Sequence, residues 1–96
     1  IFLILYYRMI KPHNFDPNKK YPVLVYVYGG PHAQLVTNSW LGGTNNFFMF
    51  LAQQGFIVWT LDNRGSANRG YEFESAIWHN CGEKEVQDQM VGINYL

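Results

Sequence analysis

The sequence predicts one α/β domain built on parallel strands. Two apolar runs carry that prediction. Residues 22–28 (PVLVYVY) and 56–62 (FIVWTLD) are rich in β-branched and aromatic residues, and neither alternates with polar ones. Between them, residues 45–55 (NNFFMFLAQQG) read as a helix. Thr44 or Asn45 can cap its start, Phe47, Phe48 and Leu51 form an apolar stripe, and Gly55 supplies a left-handed stop. Strand, helix, strand in that order is a βαβ unit, with parallel strands and a right-handed crossover.

The flanking segments extend this unit. Residues 3–10 (LILYYRMI) read as an earlier strand that Pro12 ends. The stretch KPHNFDPNKKYP holds three prolines and reads as a loop, with a turn at Asp16-Pro17-Asn18. A long polar and aromatic loop follows Pro31, and NRGSANRG forms a second loop after residue 62. From about Glu83 to the end, Val86, Met90 and Ile93 recur at helical spacing. They predict a helix with that stripe buried and the polar residues of CGEKEVQDQ solvated. Glu83 and Glu85 fall in its first turn, where they favour the helix dipole.

Composition narrows the function. At 96 residues the chain is at most one domain. Seven basic residues balance seven acidic ones, which argues against a nucleic-acid surface. A single cysteine, Cys81, rules out an internal disulfide framework. The opening run IFLIL is too short to span a membrane and has no signal-peptide pattern. Aromatics make up 18% of the residues, an excess that suggests surfaces normally covered. With no initiator Met, the chain is expected to be a piece of a longer protein, and its compartment is not readable.

Two loops at strand ends are the candidates for chemistry. Tyr28-Gly29-Gly30-Pro31 leaves the carboxyl end of a parallel strand, where open α/β sheets bind ligands. Paired glycines admit a close approach and Pro31 stiffens the exit. Asp62-Asn63-Arg64-Gly65-Ser66 ends the neighbouring strand on the same rim; Asp62 and Arg64 could orient loops around a pocket, but taken alone the motif is better explained as a locally bonded turn. Ser66 lacks a G-x-S-x-G context and is not read as a nucleophile. His32 reads as a solvated loop histidine and His13 as inert. His79 and Cys81 form no second pair, so no metal site is expected. Phe47, Phe48 and Phe50 read as core contacts. No phosphate-binding glycine pattern is present, which disfavours a nucleotide-binding domain.

Four segments together resemble one family. YPVLVYVYGGPHAQ, GFIVWTLDNRGSANRG, GEKEVQDQMVGINYL and LYYRMIKPHNFDPNKKYP look like the catalytic domain of the prolyl oligopeptidase family of serine peptidases, in its dipeptidyl-peptidase branch. The resemblance implies an α/β-hydrolase fold, here a mostly parallel sheet with flanking helices that stops before the nucleophile-elbow strand. It implies a Ser-Asp-His triad that cleaves peptides after proline, without cofactor or metal. Tyr28 matches the family tyrosine whose hydroxyl donates to the oxyanion. Asp62 and Arg64 match an Asp-x-Arg-Gly-Ser motif and, with Gly29, Gly30, Pro31 and Gly65, are expected to have structural roles at the site.

On this resemblance residues 1–96 are a partial peptidase domain. The triad and the substrate-binding β-propeller are expected outside the chain, and a periplasmic or cell-envelope setting is compatible with it. The peptide substrate belongs to the full enzyme. The chain alone is expected to be inactive and to self-associate through an exposed sheet edge. An acylaminoacyl peptidase or oligopeptidase specificity, or a catalytically dead binding relative, remains the alternative.

Overall fold

The computed structural model describes residues 3–96; Ile1 and Phe2, which open the apolar run IFLIL, lie outside the described residues. Among these residues three strands form one sheet in the order β1-β3-β2. The strands are β1 (Tyr7–Ile10), β2 (Val23–Val25) and β3 (Ile57–Leu61). The helices are α1 (Asn46–Gln53), α2 (Tyr71–Ser75) and α3 (Glu83–Tyr95), with a short 3-10 turn at Trp40–Gly43.

The βαβ unit is present. β2 runs parallel to β3, with Val23, Leu24 and Val25 opposite Ile57, Val58 and Trp59. β1 is antiparallel to β3, so the sheet is mixed rather than mostly parallel. The central strand is β3, and β2 lies at an edge. All five β3 side chains are buried, at roughly 2 kcal/mol for each large apolar one. Trp59 is wholly enclosed, with the Tyr7 ring stacked on it at 4.4 Å.

Both outer strands are shorter than their apolar runs. Beyond β3 the pairing with the β1 segment continues, among the described residues, with the bond from Asp62 N–H to Tyr6 O. Leu3 and Leu5 instead line a shallow apolar groove with Val91 and Tyr95 of α3. At β2, the Tyr26 N–H still reaches Trp59 O at 2.9 Å, and then the chain peels off toward Gly29.

Helices cover both faces of the sheet. Trp59 and Leu61 share one face by the period of two. α3 lies against that face so closely that a Cβ at Gly92 would sit 2.7 Å from Leu61 Cδ1. Tyr26, one residue past the partner of Trp59, points to the other face and meets Phe48 of α1 at 5.0 Å. Asn45 is the residue that caps α1, accepting from the Phe48 N–H. Asp16 builds the expected turn, taking the Asn18 N–H on its side chain and the Lys19 N–H on its carbonyl. Directly after the loop NRGSANRG, residues 71–75, to which the sequence reading gave no element, form α2.

The inner face of α3 corrects the sequence reading. Glu85, Asp88 and Gly92 are buried, whereas Val86, Met90 and Ile93 are 59%, 47% and 39% exposed. Two constraints turn the helix this way. Asp88 is held by Arg64, and only the side-chain-free Gly92 allows the close approach to Trp59. Glu85 folds back to accept the Gly82 N–H at 2.8 Å, satisfying one donor of the first turn.

Candidate active site

The two glycine loops lie side by side at the carboxyl ends of β2 and β3. Backbone bonds join them: His32 N–H donates to Gly65 O, and Ala67 N–H to Ala33 O, both at 3.1 Å. Asp62 adds a fork. Its two carboxylate oxygens accept the consecutive N–H groups of Leu35 and Val36 at 3.0 and 2.9 Å. Backbone donors on a buried carboxylate are charge-assisted bonds, stronger than neutral ones.

From β1, Arg8 holds the far end of the same loop by donating to the carbonyls of Leu35 and Gly42. Burial pushes the Arg8 guanidinium below its ordinary value, although the charge of nearby Asp62 opposes that. The long loop after Pro31 is thus tied at several backbone points to charged side chains of both neighbouring strands.

Arg64 points away from this loop. Its guanidinium and its own backbone N–H both grip Asp88 of α3, with contacts from 2.8 to 3.1 Å. The hydrogen bond to Asp88 holds Arg64 above its usual range, against the effect of burial. Its role here is to bolt α3 to the end of β3. Gly65 adopts φ +100°, and a Cβ there would lie 2.5 Å from Ile77 Cδ1, so the turn requires glycine. The Ser66 hydroxyl is buried and donates to Asn63 O at 2.8 Å, which fits a turn and not a nucleophile.

Tyr28 stands apart from this bonded seam. Its side chain is presented on the rim, with the residue 61% exposed. Its ring lies over Gly30, where a Cβ would come within 2.9 Å of Tyr28 Cε1. Gly29 takes φ +76°, the left-handed region that glycine favours. One glycine therefore turns the chain and the next leaves room for the ring. Beyond Pro31 a cavity of about 590 Å³ opens against α2, walled by Pro31, His32, Tyr71, Glu74, Trp78 and Cys81. His32 is exposed, as expected of a loop histidine, yet it pairs with Glu74 of α2.

Three residues of the seam escaped the sequence reading. Asp88, Gln89 and Asn63 are all polar and all turned inward. A signal for two of them was available. Glu85, Asp88, Gln89 and Gly92 repeat at three- and four-residue spacing, as regularly as Val86, Met90 and Ile93 do. Among the described residues no group of three or more His, Cys, Asp or Glu side chains is arranged to hold a metal. None of the described helices is long and apolar enough to cross a membrane.

The sequence profile of the prolyl oligopeptidase family matches residues 44–96, more than half of the chain. The chain belongs to the prolyl oligopeptidase family. Human dipeptidyl peptidase 8 is 44% identical over 92 residues, covering 96% of this chain and 10% of that relative. A solved structure described as a candidate dipeptidyl aminopeptidase IV from Bacteroides ovatus matches at 53% identity with a TM-score of 0.90. The match covers 95% of this chain and 13% of that one. Dipeptidyl peptidase 4 of Porphyromonas gingivalis matches at 34% identity with a TM-score of 0.81, over 92% of this chain and 12% of its own. The chain thus spans about a tenth of the length of the relatives it matches.

Proposed function

We propose that these residues form the front of the α/β-hydrolase domain of a serine exopeptidase, one that releases Xaa-Pro dipeptides from peptide N-termini. The observation that carries this reading is Tyr28, a phenol presented on the rim three residues past the parallel strand β2, in a chain with dipeptidyl peptidases among its relatives. In the proposed reaction a serine attacks the carbonyl carbon of the proline residue, and negative charge develops on that carbonyl oxygen. The Tyr28 hydroxyl donates a hydrogen bond to that oxygen and lowers the barrier. Collapse of the tetrahedral species expels the amine, and water then hydrolyses the acyl-enzyme.

The attacking serine is not Ser66, whose hydroxyl is buried on Asn63 O. In this reading it lies in sequence outside these 96 residues, as do the aspartate and histidine that complete the triad, and the isolated chain is inactive. An exopeptidase is favoured over an endopeptidase or oligopeptidase specificity by the names of most of the relatives, although mouse prolyl endopeptidase FAP, 38% identical over 92 residues, is also among them. One experiment tests the whole proposal with glycyl-prolyl p-nitroanilide. The complete enzyme should cleave it and the 96-residue chain should not. Tyr28→Phe in the complete enzyme should lower kcat by about 10² or more. Cleavage by the isolated chain, or full activity of the Phe variant, would overturn the assignment.

A further inference from the structure

Between the two loops lies a buried amide with no assigned role. Asn63 is only 2% exposed. Its Nδ2 donates to Arg64 O at 2.7 Å and reaches Gly29 O at 3.4 Å. Its Oδ1 accepts from Gln89 Nε2 at 3.1 Å, and the same Nε2 donates to Leu61 O at 2.9 Å. Only a carboxamide of this size offers two donors and an acceptor on one planar head. A carboxylate could not donate to the two carbonyls, and an aliphatic side chain could do neither job.

The path ends beside the candidate oxyanion donor. The Gly29 carbonyl belongs to the residue next to Tyr28, at the left-handed position of the turn. The Tyr28 ring rests over Gly30, so its direction is set by the turn beneath it. The Gly29 carbonyl is part of the Gly29–Gly30 peptide, so a shift of that peptide moves the Gly30 backbone on which the Tyr28 ring rests, and the hydroxyl at the far end of the ring moves further. Misplacement of a reacting group by about 1 Å can cost about 10² in rate.

We propose that Asn63 is a positioning residue for Tyr28: the chain Gln89–Asn63–Gly29 ties the turn that carries the oxyanion donor to helix α3. The proposal rests on the peptidase reading above. Asn63 touches no substrate in it and acts only through the direction of the Tyr28 side chain.

A double-mutant cycle in the complete enzyme tests this. Active sites are titrated with a fluorophosphonate, so that kcat is counted per competent serine and a loss of folded enzyme does not register. Asn63→Ala should lower that kcat about tenfold with KM changed by less than about twofold. In a Tyr28→Phe background the same substitution should have no further effect on kcat, because the group it positions is gone. Losses that multiply, or an Asn63→Ala enzyme with unchanged kcat, overturn the proposal. If Asn63→Ala does not accumulate as folded protein, Gln89→Met is judged by the same cycle, with an expected loss of about threefold. An active wild-type enzyme with multiplying losses refutes this assignment alone. A wild-type enzyme that takes neither the fluorophosphonate nor a glycyl-prolyl substrate refutes the peptidase reading and this assignment with it.

Discussion

The two long faces of helix α3 reverse the usual pattern. The inner one carries Glu85, Asp88, Gln89 and Gly92, and the outer one carries Val86, Met90 and Ile93. Polar residues are inside because each inward group meets a specific partner. Asp88 takes two donors of Arg64 as well as the Arg64 backbone N–H, and Gln89 donates to Leu61 and Asn63. Apolar residues are outside because nothing among the described residues competes as well for that face. The contrast teaches that a few directed bonds can orient a helix against its own hydrophobic stripe. The outward stripe is then a surface that favours contact with another apolar one.

The same division runs through the sheet. β3 is paired on both sides, and its end is sewn into the seam of Asp62, Asn63 and Arg64. β2 is paired on one side only. Pro22 O and Tyr26 N–H face β3, so in a parallel ladder the N–H and C=O groups of Val23 and Val25 face outward. Val23 and Val27 are also exposed.

The largest expected effect breaks the inner face. Asp88→Ala removes a buried carboxylate that is both the partner of the partly exposed Arg64 guanidinium and an acceptor for the Arg64 backbone N–H. It should cost about 3 kcal/mol of unfolding free energy in the intact protein, read by urea titration. A change below about 1 kcal/mol would mean that apolar contact, and not the seam, sets the pose of α3.

The outer surface gives the next prediction. We propose that the isolated 96-residue chain self-associates through the β2 edge at micromolar concentration, and Val25→Lys should reduce that association. Light scattering reads both. A monodisperse wild-type monomer would refute the edge as a contact site, and association unchanged by the lysine would move attention to Val86 and Met90.

The smallest effect sharpens the boundary between the two regions, at the contact of Tyr7 with Tyr95. Their hydroxyls lie 3.3 Å apart. That hydrogen bond, then the charge of Tyr95 and then burial, raises the Tyr7 phenol above its ordinary value of 10.0. The unfolded chain therefore ionises first as pH rises. The contribution of the pair is complete below about pH 10 and fades as pH climbs through the raised value. The stability difference between wild type and Tyr95→Phe should stay constant up to about pH 10 and shrink as pH rises above it. A difference that stays constant would show that ring contacts alone, with Tyr7 stacked on Trp59 and Tyr95 tilted against it, hold this corner.

Much of the candidate site was legible because its elements are local. The turn at Tyr28-Gly29-Gly30-Pro31 follows from glycine and proline geometry, and its place at a strand end follows from the apolar run before it. Asp62 and Arg64 were visible as a motif with a structural role. Their partners were not, because Leu35, Val36 and Asp88 are 24 to 27 residues away in sequence.

The sequence alone determined the βαβ order, a cap for α1 at Thr44 or Asn45, the start of α3 near Glu83 and the family. Each of these depends on neighbours within a few turns or on a contiguous pattern. The tertiary structure decided that β3 is the central strand, that β1 runs antiparallel to it, and which face of α3 is buried. It also decided which amide sits beneath the Tyr28 turn. Those outcomes depend on where partners from distant segments meet. Hydrophobic periodicity measures a stripe's tendency to be covered and carries no information about the directed bonds that compete with it.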